Sequence, residues 1–226
     1  MFAYISQNAD KRIIDALEQG GIEVKSLAPF SALSYPVDTH ADMLVLAIGD
    51  TVFVHKDYLI DLTDFKKVIK VDEPISSKYP NDILLNIAIV GKNAFCNKKY
   101  ASKTVLKYLE ENNYAIHHVG QGYAHCSTCI VSENAIISAD SGIVQMAQKA
   151  GIDALLISSG HISLHPYDYG FIGGSCGLCE NKIYFCGSLN YHPDGEKIRA
   201  FCEKHKKTII ELFELPLVDI GGILFI

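Results

Sequence analysis

The chain repeats itself, and that limits what it can fold into more than any other feature. A two-strand hairpin, a helix and a third strand recur four times, and the two ends together supply a fifth copy. The turn residues Asp50, Lys92, Asn134 and Asn181 follow one another at steps of 42, 42 and 47 residues, the near-constant period of a repeat architecture. In the first copy the pattern predicts strands over Met43–Ile48, Thr51–His55 and Lys67–Val71, with a weak helix from Asp57. The second places Leu84–Val90, Ala94–Cys96 and Ala115–Val119 around a helix over Tyr100–Asn112. The third places Ser127–Ser132, Ala135–Ser138 and Ala154–Ser158 around Ser141–Ala150, and the fourth Ser175–Leu178, Ile183–Cys186 and Thr208–Phe213 around Gly195–His205. Gly222–Ile226, Met1–Ser6, a helix over Ala9–Gln19 and a strand over Glu23–Leu27 make the last.

Local chemistry agrees with that division. The hairpin turns Gly49-Asp50, Gly91-Lys92, Glu133-Asn134 and Glu180-Asn181 carry Gly, Asn and Asp where tight turns need them. Thr104, Val105, Tyr108 and Leu109, and again Ile143, Val144, Ala147 and Ala150, fall at helical spacing and would cover one face of a sheet. Gly20 and Gly151 are expected to stop their helices in the left-handed conformation. Five units close around an axis only if the terminal strands lie side by side, which leaves no open sheet edge. The expected fold is therefore α/β, a five-fold pseudosymmetric α/β propeller of ββαβ repeats with the fifth repeat split between the termini. It forms one domain over 1–226, with repeats at about 43–81, 82–124, 125–172, 173–218, and 219–226 plus 1–42. An ordinary α/β sandwich is the alternative.

Composition narrows the partners. The 226 residues are 49% hydrophobic, enough for a sizeable core, and no Pro/Ser-rich linker divides them. Net charge is −6, from 20 Lys and Arg against 26 Asp and Glu, with no basic cluster among aromatics. Nucleic acid is thus excluded as a partner, and a small cationic or neutral molecule suits the chain better. No apolar run approaches the roughly 18 residues of a membrane span, and the start opens directly into a strand, so the expected location is cytoplasmic, with no membrane partner. Seven cysteines in apolar settings suit reduced buried thiols.

The repeat also fixes a register. Eight residues before Asp50, Asn134 and Asn181 stand Asp42, Cys126 and Gly173, and ten before Asp50 and Lys92 stand His40 and Asp82. In a closed array such positions form a ring, and residues two apart on a strand share a face. His40, Asp42, Asp82 and Cys126 are therefore expected to line one cavity at one pole. Gly173-Gly174 and Gly221-Gly222 sit at the same level, where missing side chains let backbone approach a ligand. Taken singly, each residue has a plainer explanation: Asp in a turn, a solvated His, a small buried Cys.

With these residues in place the chain resembles the pentein superfold of guanidino-group-modifying enzymes, which includes arginine and agmatine deiminases, dimethylargininases and amidinotransferases. The resemblance rests on five ββαβ units, on His40-Ala41-Asp42 in the His-x-Asp form, and on Val218-Asp219-Ile220-Gly221-Gly222-Ile223-Leu224-Phe225 as a terminal segment. Ala124-His125-Cys126-Ser127 and Gly170-Phe171-Ile172-Gly173-Gly174-Ser175-Cys176 resemble a bacterial branch known only as a domain of unknown function. One departure stands out: Phe225 or its neighbours occupy the place of the superfold's terminal catalytic Cys.

The resemblance implies a Cys-dependent amidino hydrolase or amidinotransferase in which a thiolate attacks a planar amidine carbon. Cys126 would be the nucleophile, His40 or His125 the acid/base, and Asp42 and Asp82 the substrate anchors, with Gly173 and Gly174 letting backbone approach the ligand and no cofactor or metal required. Cys176, after a Gly-Gly pair, is the second candidate thiol. Two other readings stay open. One is a non-catalytic pentein-fold binding protein, as in a ribosome anti-association factor of similar fold, which the missing terminal Cys favours. The other is a zinc-binding protein with a four-cysteine site, since Cys126-x2-Cys129 and Cys176-x2-Cys179 form paired C-x2-C motifs. Strand geometry opposes zinc, because residues three apart on a strand face opposite ways. His161 and His165 belong to a loop that is a candidate lid, and Asp140 reads as a helix cap.

Overall fold

The computed structural model describes residues 1–226 and holds five three-stranded sheets. The first is β1 (Phe2–Ser6), β2 (Glu23–Leu27) and the terminal β15 (Leu224–Phe225). The next two are β3 (Val45–Ile48), β4 (Thr51–His55) and β5 (Lys67–Val71), then β6 (Ala88–Val90), β7 (Asn93–Cys96) and β8 (Ala115–His118). The last two are β9 (Thr128–Ser132), β10 (Ala135–Ser138) and β11 (Asp153–Leu156), then β12 (Cys176–Cys179), β13 (Lys182–Phe185) and β14 (Thr208–Glu211). In every sheet the middle strand pairs antiparallel with the first strand and parallel with the last. Helices α1 (Lys11–Gln19), α3 (Lys103–Glu111), α4 (Ser141–Lys149) and α5 (Gly195–Lys204) make the parallel crossovers.

The ends close the ring as the repeat requires. Ala3 pairs with Phe225 and Tyr4 with Leu224, so one sheet is completed by strands more than 200 residues apart. The five-fold α/β propeller of ββαβ units is the observed architecture. Its core is not one mass but five apolar clusters, four spanning two neighbouring units and the fifth joining the split unit and unit one to Cys126 of unit three. Phe95 of unit two meets Ile136 and Ile143 of unit three, for example, and Ile137 of unit three meets Phe185 and Ile198 of unit four. Nearest-neighbour packing of this kind is what a repeat architecture stabilises by. Middle strands β4 and β10 are buried throughout, which explains why their residues read as continuous apolar runs.

Several details differ from expectation, beginning with the strand expected over Leu84–Val90, of which only Ala88–Val90 is strand. The first unit has no crossover helix: residues 56–66 are an irregular loop in which the Asp61 carboxylate accepts from the Thr63 backbone N–H at 3.0 Å and hydroxyl at 2.9 Å. Short polar side chains compete with helical hydrogen bonds in this way. In addition, Gly21 (φ 77°) takes the left-handed conformation after α1 and Gly20 (φ −76°) does not, while Gly151 (φ 79°) behaves as expected. Finally, Met43 and Leu44 are not strand but part of a single helical turn, α2 (Ala41–Leu44), which delivers the chain into β3. Asp140 does cap α4, accepting from the Ile143 N–H at 2.9 Å. No helix is long and apolar enough to cross a membrane.

Candidate functional site

Turns leading into the first strands gather polar residues at one pole. α2 presents Asp42, and His40 precedes it; both are buried. Backbone bonds hold this level together across units: the Asp42 N–H donates to Gly221 O (3.0 Å), the Gly174 N–H to Cys126 O (3.1 Å), and the Gly222 N–H to Gly174 O (2.8 Å). The glycines are needed for that approach. A Cβ on Gly173 would stand 2.6 Å from Cys126 O, one on Gly174 would overlap the Asp219 carboxylate, and one on Gly221 would overlap His40. Gly221 and Gly222 also have φ of 79° and 78°, which side-chain-bearing residues rarely adopt.

Two buried carboxylates meet there in different circumstances. Asp219 accepts from the Phe171 N–H (2.8 Å) and the Gly221 N–H (2.9 Å), and its Oδ1 lies 3.8 Å from His40 Nδ1. Asp42 is less well served, since neither of its enclosed oxygens makes a well-formed hydrogen bond and only the Cys126 thiol and its own backbone N–H stand close by. Burial, reinforced by the negative charge of Asp219 and only partly offset by the Cys126 thiol beside it, pushes the Asp42 carboxyl up to about 8. Burial also raises Asp219, to about 6, against its two backbone donors. The same desolvation lowers His40 and His125 to about 4, so both rings are neutral at neutral pH.

Cys126 is buried beside this pair. Asn86 Nδ2 donates to its Sγ at 2.9 Å and to the Asp42 carbonyl at 3.1 Å, while Asn86 Oδ1 accepts from the His125 N–H at 2.7 Å. Burial first, then the charges of Asp42 and Asp219, drive the thiol pKa well above its ordinary value. In the ligand-free site Cys126 is a protonated thiol, not a thiolate.

An axial channel of about 280 Å³ runs from this pole between all five first strands. Asp42, His125 and Gly173 line it, as does Cys176. Cys126, His40 and Gly174 stand behind its wall. Asp82 is buried elsewhere, with its Oδ2 accepting from the Tyr123 hydroxyl at 2.7 Å, so it is not one of the channel's carboxylates. Thus the four residues expected in a single cavity do not share one lining: Asp42 faces the channel, His40 lines a separate polar cleft of about 460 Å³ with Asp219 and His165, and Asp82 belongs to a tyrosine. Asp82 lies in a turn before β6 and is buried against Tyr123 rather than in the channel wall. The candidate lid packs on the same pole, where Ser163 pairs with Val218.

The paired C-x2-C motifs do not converge. Cys129 and Cys176 adjoin each other, but Cys126 lies with Asn86, and the Cys179 thiol contacts Met1 Sδ at 3.1 Å. No three His, Cys, Asp or Glu residues form a group able to hold a metal. The zinc reading is therefore overturned: Cys176 and Cys179 stand three apart on β12, where alternation turns them opposite ways, and Cys126 lies in the turn before β9.

Asn86 and Asp219 are the site residues that register counting missed. Each is a polar residue inside an apolar run, Leu84-Leu85-Asn86-Ile87-Ala88 and Leu217-Val218-Asp219-Ile220, and that interruption was the available signal.

Known proteins place this arrangement. A family model described as a family of unknown function (DUF6873) matches residues 4–224. No curated protein matches the sequence at a significant level. Among solved structures the chain is similar to DDAH from Pseudomonas aeruginosa complexed with citrulline, at 11% identity and TM-score 0.57 over 98% of this chain and 95% of that one. It is similar to the agmatine deiminase of C. jejuni at 11% identity and TM-score 0.55, covering 93% and 86% of the two chains. An inosamine-phosphate amidinotransferase from Streptomyces griseus follows at 10% identity and TM-score 0.52, covering 93% and 75%. At such identities the likeness establishes the fold, which is the pentein fold.

Proposed function

We propose that this chain, which belongs to the family of unknown function DUF6873 and carries the pentein fold, binds a guanidinium or amidinium cation at Asp42 and modifies it through Cys126. One observation carries the reading: Asp42 holds both carboxylate oxygens buried with no charged partner and only the Cys126 thiol beside them, next to a second buried carboxylate, with no Lys or Arg on the channel wall. A buried charge needs a partner, and a planar cation with paired N–H donors matches a carboxylate with two free oxygens. The solved relatives named for DDAH, agmatine deiminase and amidinotransferase support the same class of ligand.

The electrostatics make the nucleophile depend on its substrate. Burial first, and then the nearby carboxylates, hold the Cys126 proton on, and a bound cation offsets the carboxylate part of that effect and lowers the thiol pKa. His125, neutral, with its Nδ1 enclosed and without a partner, is the proton acceptor on the channel side. The thiol proton passes to His125 as Sγ adds to the amidine carbon and an S–C bond forms. A C–N bond then breaks, and the amine leaves with the proton from the imidazolium. Water or an acceptor amine adds to the same carbon, the S–C bond breaks, and sulfur recovers a proton.

The non-catalytic alternative rests on a specific observation too, namely that Cys126 is buried and stands outside the channel lining. Incubation with alkylguanidines followed by analysis for released amine or ammonia separates the two. Release that disappears in Cys126→Ser supports the enzyme. Binding without release, unchanged in Cys126→Ser, supports the binding protein.

A further inference from the structure

We infer that the cation taken by this site carries an apolar tail and no carboxylate, and that it reaches Asp42 along the axial channel from the hairpin-turn end. The inference rests on the guanidinium reading above and adds the rest of the ligand to it.

The channel wall states what can lie against it. Apart from Asp42 and His125 its polar side chains are Thr128, whose hydroxyl already donates to Ala124 O at 2.7 Å, and Cys176. The remainder is apolar or glycine, with Leu46, Ile89, Ile130, Leu178 and Phe225 representing the five units. No cationic side chain reaches the lining, so a ligand carboxylate would be desolvated there without a partner, whereas an alkyl chain gains from burial. A single buried carboxylate at the end of an apolar tube matches a cation with a hydrocarbon tail.

Direction follows from exposure. At the Asp42 end the wall residues Ala41, Asp42, Gly221 and Gly222 are buried and only His125 and Gly173 are half-buried, while toward the hairpin turns every unit presents a half-buried residue, Ala47, Ile89, Ile130, Leu178 and Phe225. Leu178 also lines the open cleft formed by the turn residues Lys92, Glu133 and Glu180. The cleft at the opposite pole is a poorer entrance. It reaches Asp219 and His40 but not Asp42, and both Asp219 oxygens already accept backbone N–H bonds. Its one arginine, Arg12, is held by Asp10 at 2.6 Å and stacked on Phe213.

Calorimetry on the full chain at pH 8 with methyl-, butyl- and hexylguanidine and with arginine tests this. Affinity is expected to rise about fourfold per buried methylene, the factor corresponding to about 0.8 kcal/mol per CH2, and arginine is expected to bind at least 100-fold more weakly than butylguanidine. Arginine binding as tightly as butylguanidine would overturn the inference and leave the guanidinium reading intact. Failure of every guanidine to bind would remove both. The entrance is tested with Ile89→Trp, or Leu178→Trp on the same rim should the first not fold. Either is expected to weaken hexylguanidine at least tenfold with methylguanidine little changed, while Arg12→Ala changes neither. Equal affinities in the rim variants, or loss in Arg12→Ala, would place the entrance at the other pole.

Discussion

Replacing Asp42 with Asn should make the protein more stable at alkaline pH, and the amount can be worked out. Asp42 titrates near 3.8 in an unfolded chain and at about 8 in the closed site, because burial and Asp219 penalise its charge. The folded protein therefore binds this proton more tightly than the unfolded chain does, so stability is full below pH 3.8 and falls as pH rises toward 8. Asp219, raised to about 6, acts with the same sign, but its contribution is complete by that pH. His40 and His125, lowered to about 4, act with the opposite sign and only below their ordinary value of 6.5. Between pH 6.5 and 8 Asp42 stands alone among the four, and one proton at 1.36 kcal/mol per pH unit gives a loss of about 2 kcal/mol. Urea unfolding across pH 6.5–8 should show that loss in the wild-type protein and a flat profile in Asp42→Asn, while above pH 8 the raised buried thiols lower the stability of both proteins alike. A guanidine ligand should remove the slope from wild type, since it supplies the missing charge. Equal pH profiles for the two proteins would mean that Asp42 is not a buried unpaired carboxylate, and the reasoning would fail.

Three further outcomes are expected. Cys126 in the ligand-free protein should resist iodoacetamide below about pH 9, because burial and two carboxylates hold its proton, whereas a haloacetamidine that brings its own cation should alkylate it; mass spectrometry finding equal labelling by both reagents at pH 7 would contradict this. Asn86→Ala removes the donor to Cys126 Sγ and the acceptor for the His125 N–H, and should cost about 2 to 3 kcal/mol in urea unfolding, with a change below about 0.5 kcal/mol refuting that role. Treatment with EDTA should leave the melting temperature unchanged, since Cys126 and Cys179 lie apart from the adjoining Cys129 and Cys176; a fall of several degrees would reinstate a structural metal.

The architecture was legible because two kinds of information repeat in the chain. Turn chemistry recurs at fixed steps, and apolar residues switch between alternating and helical spacing within each step, so even the closure of Phe2–Ser6 on Leu224–Phe225 could be anticipated. The irregular loop at 56–66 escaped because its apolar residues suit a helix, while Asp61 and Thr63 satisfy one another locally. At the pole, register placed His40, Asp42 and Cys126 at the right level but could not say which way each side chain turns. That is decided by the turns before the strands, where α2 sets Asp42 in the channel wall and Tyr123 claims Asp82. Asn86 was missed because its offset of six from Lys92 matches none of the others, and Asp219 because the split unit has no hairpin turn to count from, although each interrupts an apolar run.

The central claim, that Asp42 is the anchor for a cation, is tested most directly by calorimetry of methylguanidine binding at pH 7 in two buffers of different ionisation enthalpy. Asp42 is mostly protonated at that pH and must ionise to hold the ligand, so binding should release close to one proton per molecule bound, and Asp42→Asn should not bind. Binding that releases no proton and persists in Asp42→Asn would contradict the account.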